Sequence, residues 1–223
     1  MPFRGVVPAI LMATVSVTAA AAELGQDNTP PKGFVALFNG KNLDGWQGLV
    51  ELPERAKLTK EELAAKQRDA NEKYLPHWTV ADGVLRYDGK GQSLQTAKDY
   101  GDFELFVDWK IGPKGDTGIY LRGTPQVQIW ENPVGSGGLY NNKINPSQPL
   151  AKADKPIGEW NTFRIVMRGE KVSVWLNGTL VVDNVTMENY WQRDQPIAAR
   201  GPIELQHHGN PIEFKNIYIR TLD

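Results

Sequence analysis

The feature that most constrains this chain is its rhythm from His77 onward. Short runs of alternating apolar and polar residues are broken at close intervals by Gly, Asn and Pro. Side chains along an extended strand point to opposite faces in turn, so such runs read as strands with one buried face. The expected strands cover 78–80, 84–87, 103–111, 118–122, 126–131, 161–168, 171–176, 179–182, 203–207 and 212–220. Asn177-Gly178 between two of them is a hairpin signal. A short apolar run over 34–38 ends at the turn pair Asn39-Gly40. Many short strands with regular turns, and no helices alternating with them, predict an all-β sandwich or barrel.

One stretch departs from this rhythm. Thr59 and Glu62 have the spacing of a capping box, in which each satisfies a backbone amide of the other at a helix start. Ala, Glu, Lys and Gln then dominate, all good helix formers. The spacing predicts one exposed helix over 60–73, inserted between strands and ended by Pro76.

The 223 residues suit a single sandwich domain and suffice to bury a core without staples. There are no cysteines, which removes disulfides, thiolate nucleophiles and Cys-based zinc sites together. Lys and Arg number 25 against 26 Asp and Glu, with no basic run, so nucleic acid and anionic membrane surfaces are poor partners. Arg4, the apolar run 6–17 and the alanines 19–22 read as a signal peptide over residues 1–22, cut near Ala22 or Glu23. That run is too short for a bilayer span, which takes roughly 20 apolar residues. The expectation is an exported chain, periplasmic or extracellular and free of the membrane after cleavage, with a polar tether over 23–32 and one domain over 33–223.

Alternation also sorts the polar side chains. Phe103, Leu105, Val107 and Trp109 share one face, leaving Glu104, Phe106 and Asp108 on the other. Ile119 and Leu121 leave Tyr120 and Arg122 opposite; Val127 and Ile129 leave Gln126, Gln128 and Trp130. Ile203 and Leu205 leave Glu204, Gln206 and, if the strand runs that far, His208. A solvated sheet face is the bland alternative. Against it, Lys is nearly absent from these positions, whereas amides, carboxylates, a guanidinium and aromatic rings are the groups that grip sugar hydroxyls and ring faces, Arg adding bidentate geometry. The predicted site is therefore a single polar face that binds carbohydrate. Trp46, Trp78 and Trp160 read as core, whereas the loop 189–193, with Trp191, can wall a pocket. Tyr140 closes a glycine-rich turn over 135–140 that lacks the Gly-Lys-Ser/Thr of a phosphate loop. His207 and His208 are adjacent, so on a strand they would point apart, and no metal-binding histidine motif occurs.

Several ordered motifs resemble the 3-keto-disaccharide hydrolase domain family. They are Phe38-Asn39-Gly40-Lys41-Asn42-Leu43-Asp44-Gly45-Trp46, Asp102-Phe103-Glu104-Leu105-Phe106-Val107-Asp108-Trp109, Thr117-Gly118-Ile119-Tyr120-Leu121-Arg122-Gly123, and Gly201-Pro202-Ile203-Glu204-Leu205-Gln206-His207-His208-Gly209 with Phe214-Lys215-Asn216-Ile217-Tyr218-Ile219-Arg220. The resemblance spans residues 34–222. It implies a jelly-roll β-sandwich of two antiparallel sheets, related to the concanavalin-type lectins and glucanases, and cleavage of glycosides already oxidised at C3. The positions that carry over are Glu104, Asp108, Arg122, Gln128, Glu131, Gln206 and His208. Gln126 stands where many members have Glu, and Glu131 where Asp is usual.

A C3 ketone acidifies the C2 proton, so a base can form an enolate and expel the C1 substituent. The expected catalytic residues are Asp108 or Glu131 as base, Arg122 as clamp and His208 as acid, since an imidazole titrates near neutral pH. Glu104, Tyr120, Gln126, Gln128, Trp130, Tyr140, Trp191 and Gln206 are the expected substrate contacts. The glucanase alternative expects a Glu-x-Asp-x-Glu strand, absent here. A non-catalytic, lectin-like binding module is the remaining alternative. No cofactor or metal is expected; a structural calcium is compatible with such folds, but no Asp/Asn-rich loop demands one.

Overall fold

The computed structural model describes residues 27–123 and 126–222. The expected signal peptide and the first residues of the tether lie outside the described residues. In chain order the elements are β1 (Val35–Ala36), β2 (Trp46–Gly48), α1 (Leu52–Arg55), α2 (Lys60–Tyr74), a 3-10 turn (Leu75–His77), β3 (Trp78–Ala81), β4 (Val84–Tyr87), β5 (Leu94–Thr96), β6 (Phe103–Ile111), β7 (Asp116–Leu121), β8 (Gln126–Trp130), β9 (Asn161–Arg168), β10 (Lys171–Leu176), β11 (Thr179–Thr186), β12 (Ile203–Leu205) and β13 (Ile212–Thr221).

These strands form two antiparallel sheets, the jelly-roll sandwich expected. The larger has eight strands in the order β11-β10-β9-β6-β13-β4-β3, with β1 also paired to β13; the smaller has five, in the order β2-β5-β12-β7-β8. Alternation makes the core. Phe103, Leu105, Val107 and Trp109 of β6 meet Ile119 and Leu121 of β7, Val127 and Ile129 of β8, and Ile203 and Leu205 of β12 between the sheets, all at most 1% exposed. At about 25 cal/mol per Å² of apolar surface removed from water, this shared interior is the main stabilising term.

The capping box forms as read: the Glu62 amide donates to Thr59 Oγ1 at 3.2 Å and the Thr59 amide donates to Glu62 Oε2 at 2.8 Å. Among α2 residues only Ala70 is buried. The helix earns its place by covering the free edge of β2. Asn71 Oδ1 accepts from the Gly48 amide at 2.9 Å, and Gln67 donates to the Gly48 carbonyl at 2.7 Å. A Cβ at position 48 would stand 2.5 Å from the Ala70 carbonyl oxygen, so only glycine lets helix and strand approach this closely. An edge strand left open would offer unpaired amides to other chains.

Two expectations need correction. The described part of the tether, residues 27–32, is docked rather than free: the Asn28 amide donates to Asn216 Oδ1 at 2.7 Å and its side chain donates to the Gly83 carbonyl at 2.9 Å. Trp160 is only partly buried, lying under the ammonium groups of Lys110 and Lys215 on the outside of the larger sheet.

Candidate functional site

The predicted single polar face is divided between two surfaces. Alternation tells which side of a strand a residue occupies, not which sheet the strand joins. β6 pairs with β9 and β13 in the larger sheet, while β7, β8 and β12 belong to the smaller one. Glu104 and Asp108 therefore point out of the opposite side of the molecule. There Glu104 accepts from Arg164 Nε at 2.7 Å and pairs with Arg220. Burial pushes the Glu104 carboxyl up, but the two guanidinium groups outweigh it and hold it below its ordinary value. Asp108 accepts from Thr162 Oγ1 at 2.6 Å and Asn216 Nδ2 at 2.7 Å; burial raises its pKa. Neither lines the cleft of the smaller sheet.

Arg122 also leaves the predicted site. β7 ends at Leu121, and Arg122 takes a left-handed φ of 56°, which breaks the alternation and turns its side chain inward. Its guanidinium, 3% exposed, donates to the Gly101 carbonyl at 2.9 Å and to Asp102 Oδ1 at 2.6 Å. Asp102 immediately precedes β6, so Arg122 ties one sheet to the other. Glu131 stands just beyond β8, where its carboxylate accepts the Lys114 amide at 2.5 Å, away from His208.

What remains on the smaller sheet forms a grid. Cross-strand partners place Gln47, Gln95, Glu204, Tyr120 and Gln126 in one row across all five strands. Gly118 and Gln128 are paired in the next row, with the Gln206 amide bonded to the Gly118 carbonyl at 2.9 Å. A third row pairs Asp116 with Trp130. Gly118 leaves a dip in the floor: a Cβ there would crowd the Gln126 side chain at 3.0 Å. Over this floor lies a cleft of about 180 Å³ lined by Asp116, Tyr120, Gln126, Gln128, Tyr140, Asn141, Tyr190, Gln206 and His208.

The floor carries a relay. Gln126 Nε2 donates to Gln128 Oε1 at 2.5 Å, Gln128 Nε2 donates to Asp116 Oδ1 at 2.7 Å, and Asp116 Oδ2 lies 3.8 Å from His208 Nδ1. Gln206 Nε2 reaches the Tyr120 hydroxyl at 3.4 Å. Beneath it, Glu204 is 4% exposed, and burial, aided by the neighbouring Glu51 charge, pushes its pKa up to about 8. Burial and the nearby Glu204 also raise the Tyr120 phenol well above its ordinary value, so it stays a hydrogen-bond donor at neutral pH. Glu51 is itself raised, by burial and by Glu54. Most tellingly, Gln126 Oε1 and Gln206 Oε1 have no hydrogen-bond partner among the described residues, nor does either amide atom of Gln95. Buried polar atoms are normally satisfied, so the two such amides that line the cleft, Gln126 and Gln206, mark capacity held for a ligand.

Two loops build the far wall and are locked together. The Glu188 carboxylate accepts the amides of Lys143, Ile144 and Asn145 at 2.7–2.8 Å, and Asn142 donates to the Thr186 carbonyl at 2.8 Å. Tyr190 lines the cleft, whereas Trp191 stacks edge-on against Tyr190 and donates to the Gly123 carbonyl at 3.3 Å, a support for the wall.

The structure thus brings together Tyr120, Gln126, Gln128, Tyr140, Gln206 and His208 of the predicted residues. It adds Asp116, Asn141 and Tyr190, with Glu204, already on the predicted polar face, and Glu51 behind them. Asp116 has the same strand parity as Tyr120 and would have been found by starting that strand two residues earlier. Gln95 lies in a three-residue strand, too short a run to show alternation.

Fold and site define a class: a jelly-roll sandwich with a polar, aromatic-walled cleft on the outer face of its smaller sheet. The 3-keto-alpha-glucoside-1,2-lyase-like domain matches residues 33–220, and the chain belongs to that family. A protein named 3-keto-disaccharide hydrolase from Bacteroides thetaiotaomicron is 24% identical over 268 residues, covering 93% of this chain and 86% of its own. Two crystal structures of proteins provisionally named glycosyl hydrolases from Parabacteroides distasonis share the fold. One has a TM-score of 0.66 at 23% identity, covering 89% of this chain and 100% of that one; the other has 0.65 at 25%, covering 99% and 94%.

Proposed function

We propose that this protein cleaves glycosides whose ring carries a ketone at C3, with the keto sugar seated on the outer face of the five-stranded sheet. The observation that carries the reading is the pair of unbonded amide oxygens, Gln126 Oε1 and Gln206 Oε1, on residues lining the cleft. Sugar hydroxyls are donors and supply what these oxygens lack. Family membership and the name of the Bacteroides relative support the 3-keto chemistry.

The residues fit an elimination. His208, whose Nδ1 lies 3.8 Å from Asp116 Oδ2, takes the C2 proton. The Tyr120 hydroxyl donates to the C3 oxygen as negative charge gathers there, a preorganised stabilisation of the enolate. The C1=C2 bond forms as the C1–O bond breaks, and the departing oxygen takes a proton back from the imidazolium. Water then adds across C1=C2, its hydroxyl to C1 and its proton to C2, giving the free 3-keto sugar. Asp116–His208 replaces Asp108 or Glu131 as the base, because those carboxylates lie elsewhere.

Incubation with matched 3-keto and ordinary disaccharides, followed by product analysis, tests this. Turnover confined to the oxidised substrate is expected. Cleavage of ordinary disaccharides alone would overturn it, and sugar binding without turnover would mark a lectin-like module. The N-terminal segment is proposed to direct export, which the mass of the mature chain in a periplasmic fraction or medium would test.

A further inference from the structure

The cleft does not end at its aromatic wall. Gln128 and Tyr140 also line a second hollow of about 320 Å³, with Trp130, Asn132, Gly135, Gly138, Ser147, Gln148 and Pro149 around it. Trp130 and Asn132 in turn line a third hollow of about 270 Å³, with Glu131, Lys152, Glu159 and Trp109 among its walls. Neighbouring hollows share lining residues, so the three follow one another as a groove in three parts, from His208 to Lys152 and Glu159.

The second hollow is rigid. Trp130 donates its indole N–H to the Gly135 carbonyl at 2.7 Å, which fixes the ring in the wall of the hollow. Tyr140 meets it edge-on at 5.8 Å between centroids. Gly138 makes room, since a Cβ there would stand 2.5 Å from the Ser147 carbonyl oxygen. Amides of Gln128, Asn132 and Gln148 surround these rings. A purely aromatic leaving group would make no use of the Asn132 and Gln148 amides; a sugar ring offers an apolar face to Trp130 and hydroxyls to those amides.

The third hollow is backed by a buried tryptophan. Trp109 is 1% exposed and its indole N–H has no hydrogen-bond partner among the described residues. Glu131, Lys152 and Glu159 stand at its rim, offering acceptors and a donor for further hydroxyls.

We propose that this groove holds two sugar units beyond the keto ring, so that the favoured substrate is a 3-keto oligosaccharide of at least three units rather than a disaccharide. The inference rests on the reading that the keto ring occupies the His208 cleft. Trp130 then stands between the second and third units, and Lys152 contacts the third.

The test compares 3-keto forms of a disaccharide and a trisaccharide of the same linkage, each oxidised on the non-reducing ring. A kcat/KM at least tenfold higher for the trisaccharide is expected. Trp130→Ala and, separately, the exposed Lys152→Ala should each cut that ratio at least fivefold, with a thermal melt to verify folding. Equal kcat/KM for the two substrates would overturn the inference while leaving the 3-keto reading intact. If neither oxidised substrate is cleaved, the 3-keto reading fails, and calorimetric titration with the unoxidised sugars decides the groove. Binding at least tenfold tighter for the trisaccharide, weakened by Lys152→Ala, supports it; equal binding overturns it.

Discussion

The two outer faces of the sandwich are built from the same alternation and serve opposite ends. On the larger sheet, carboxylates meet cations: Glu104 lies between Arg164 and Arg220, Glu213 between Arg86 and Lys110, and Asp27 against Lys215. Asp108 is held by Thr162 and Asn216. On the smaller sheet, the central row carries amides with open valences and an acid kept neutral by burial. A face whose polar groups answer one another contributes stability; a face that leaves them open gives up stability for a ligand.

The comparison can be broken most severely at Arg122, the side chain joining the two sheets. Arg122→Ala removes a buried guanidinium with its bonds to the Gly101 carbonyl and Asp102 and should cost about 3 kcal/mol, read from urea unfolding midpoints. A loss under 1 kcal/mol would refute its role as a sheet-to-sheet tie. Next come the cleft variants. His208→Ala and Tyr120→Phe should each lower kcat/KM on a 3-keto substrate about a hundredfold, about 2.7 kcal/mol of barrier, with little change in melting temperature. Near-native turnover in both would remove the site from this face.

The converse variant lies across the molecule. Glu104→Ala should cost about 2 kcal/mol, the range for lost bonds to charged groups, yet keep turnover within about twofold. A hundredfold fall in turnover would mean that the larger sheet's face takes part in catalysis. The subtlest effect is a slope. Glu204 titrates near 8 when folded against an ordinary 4.5, so the unfolded chain loses this proton first. Its contribution to stability is full below about pH 4.5 and is lost as pH rises through 8. Glu204→Gln should flatten that decline in a series of thermal melts between pH 5 and 8; an unchanged slope would place the titration elsewhere.

Much of this molecule was legible in its residues. The strand at Phe103–Ile111, the helix start at Thr59 and the inward set Ile119, Leu121, Val127, Ile129, Ile203 and Leu205 all follow from periodicity and capping. The polar side of β7, β8 and β12 was equally readable, because side-chain alternation is a local property of extended backbone. The three-residue strands β2 and β5 escaped because they are too short to display a period.

Local order could not assign strands to sheets. Glu104 and Asp108 have the parity of the cleft residues and look like them in composition, but hydrogen bonding of β6 to β9 and β13 carries them to the opposite surface. Arg122 was lost to a single left-handed residue, which inverted the direction its side chain takes. The amino-acid order determined which residues turn inward and which turn outward, since that needs only the geometry of one strand. Which outward residues share a cleft was decided by pairing between segments more than 100 residues apart, as when Glu204 meets Gln95, and by the two loops that wall them in.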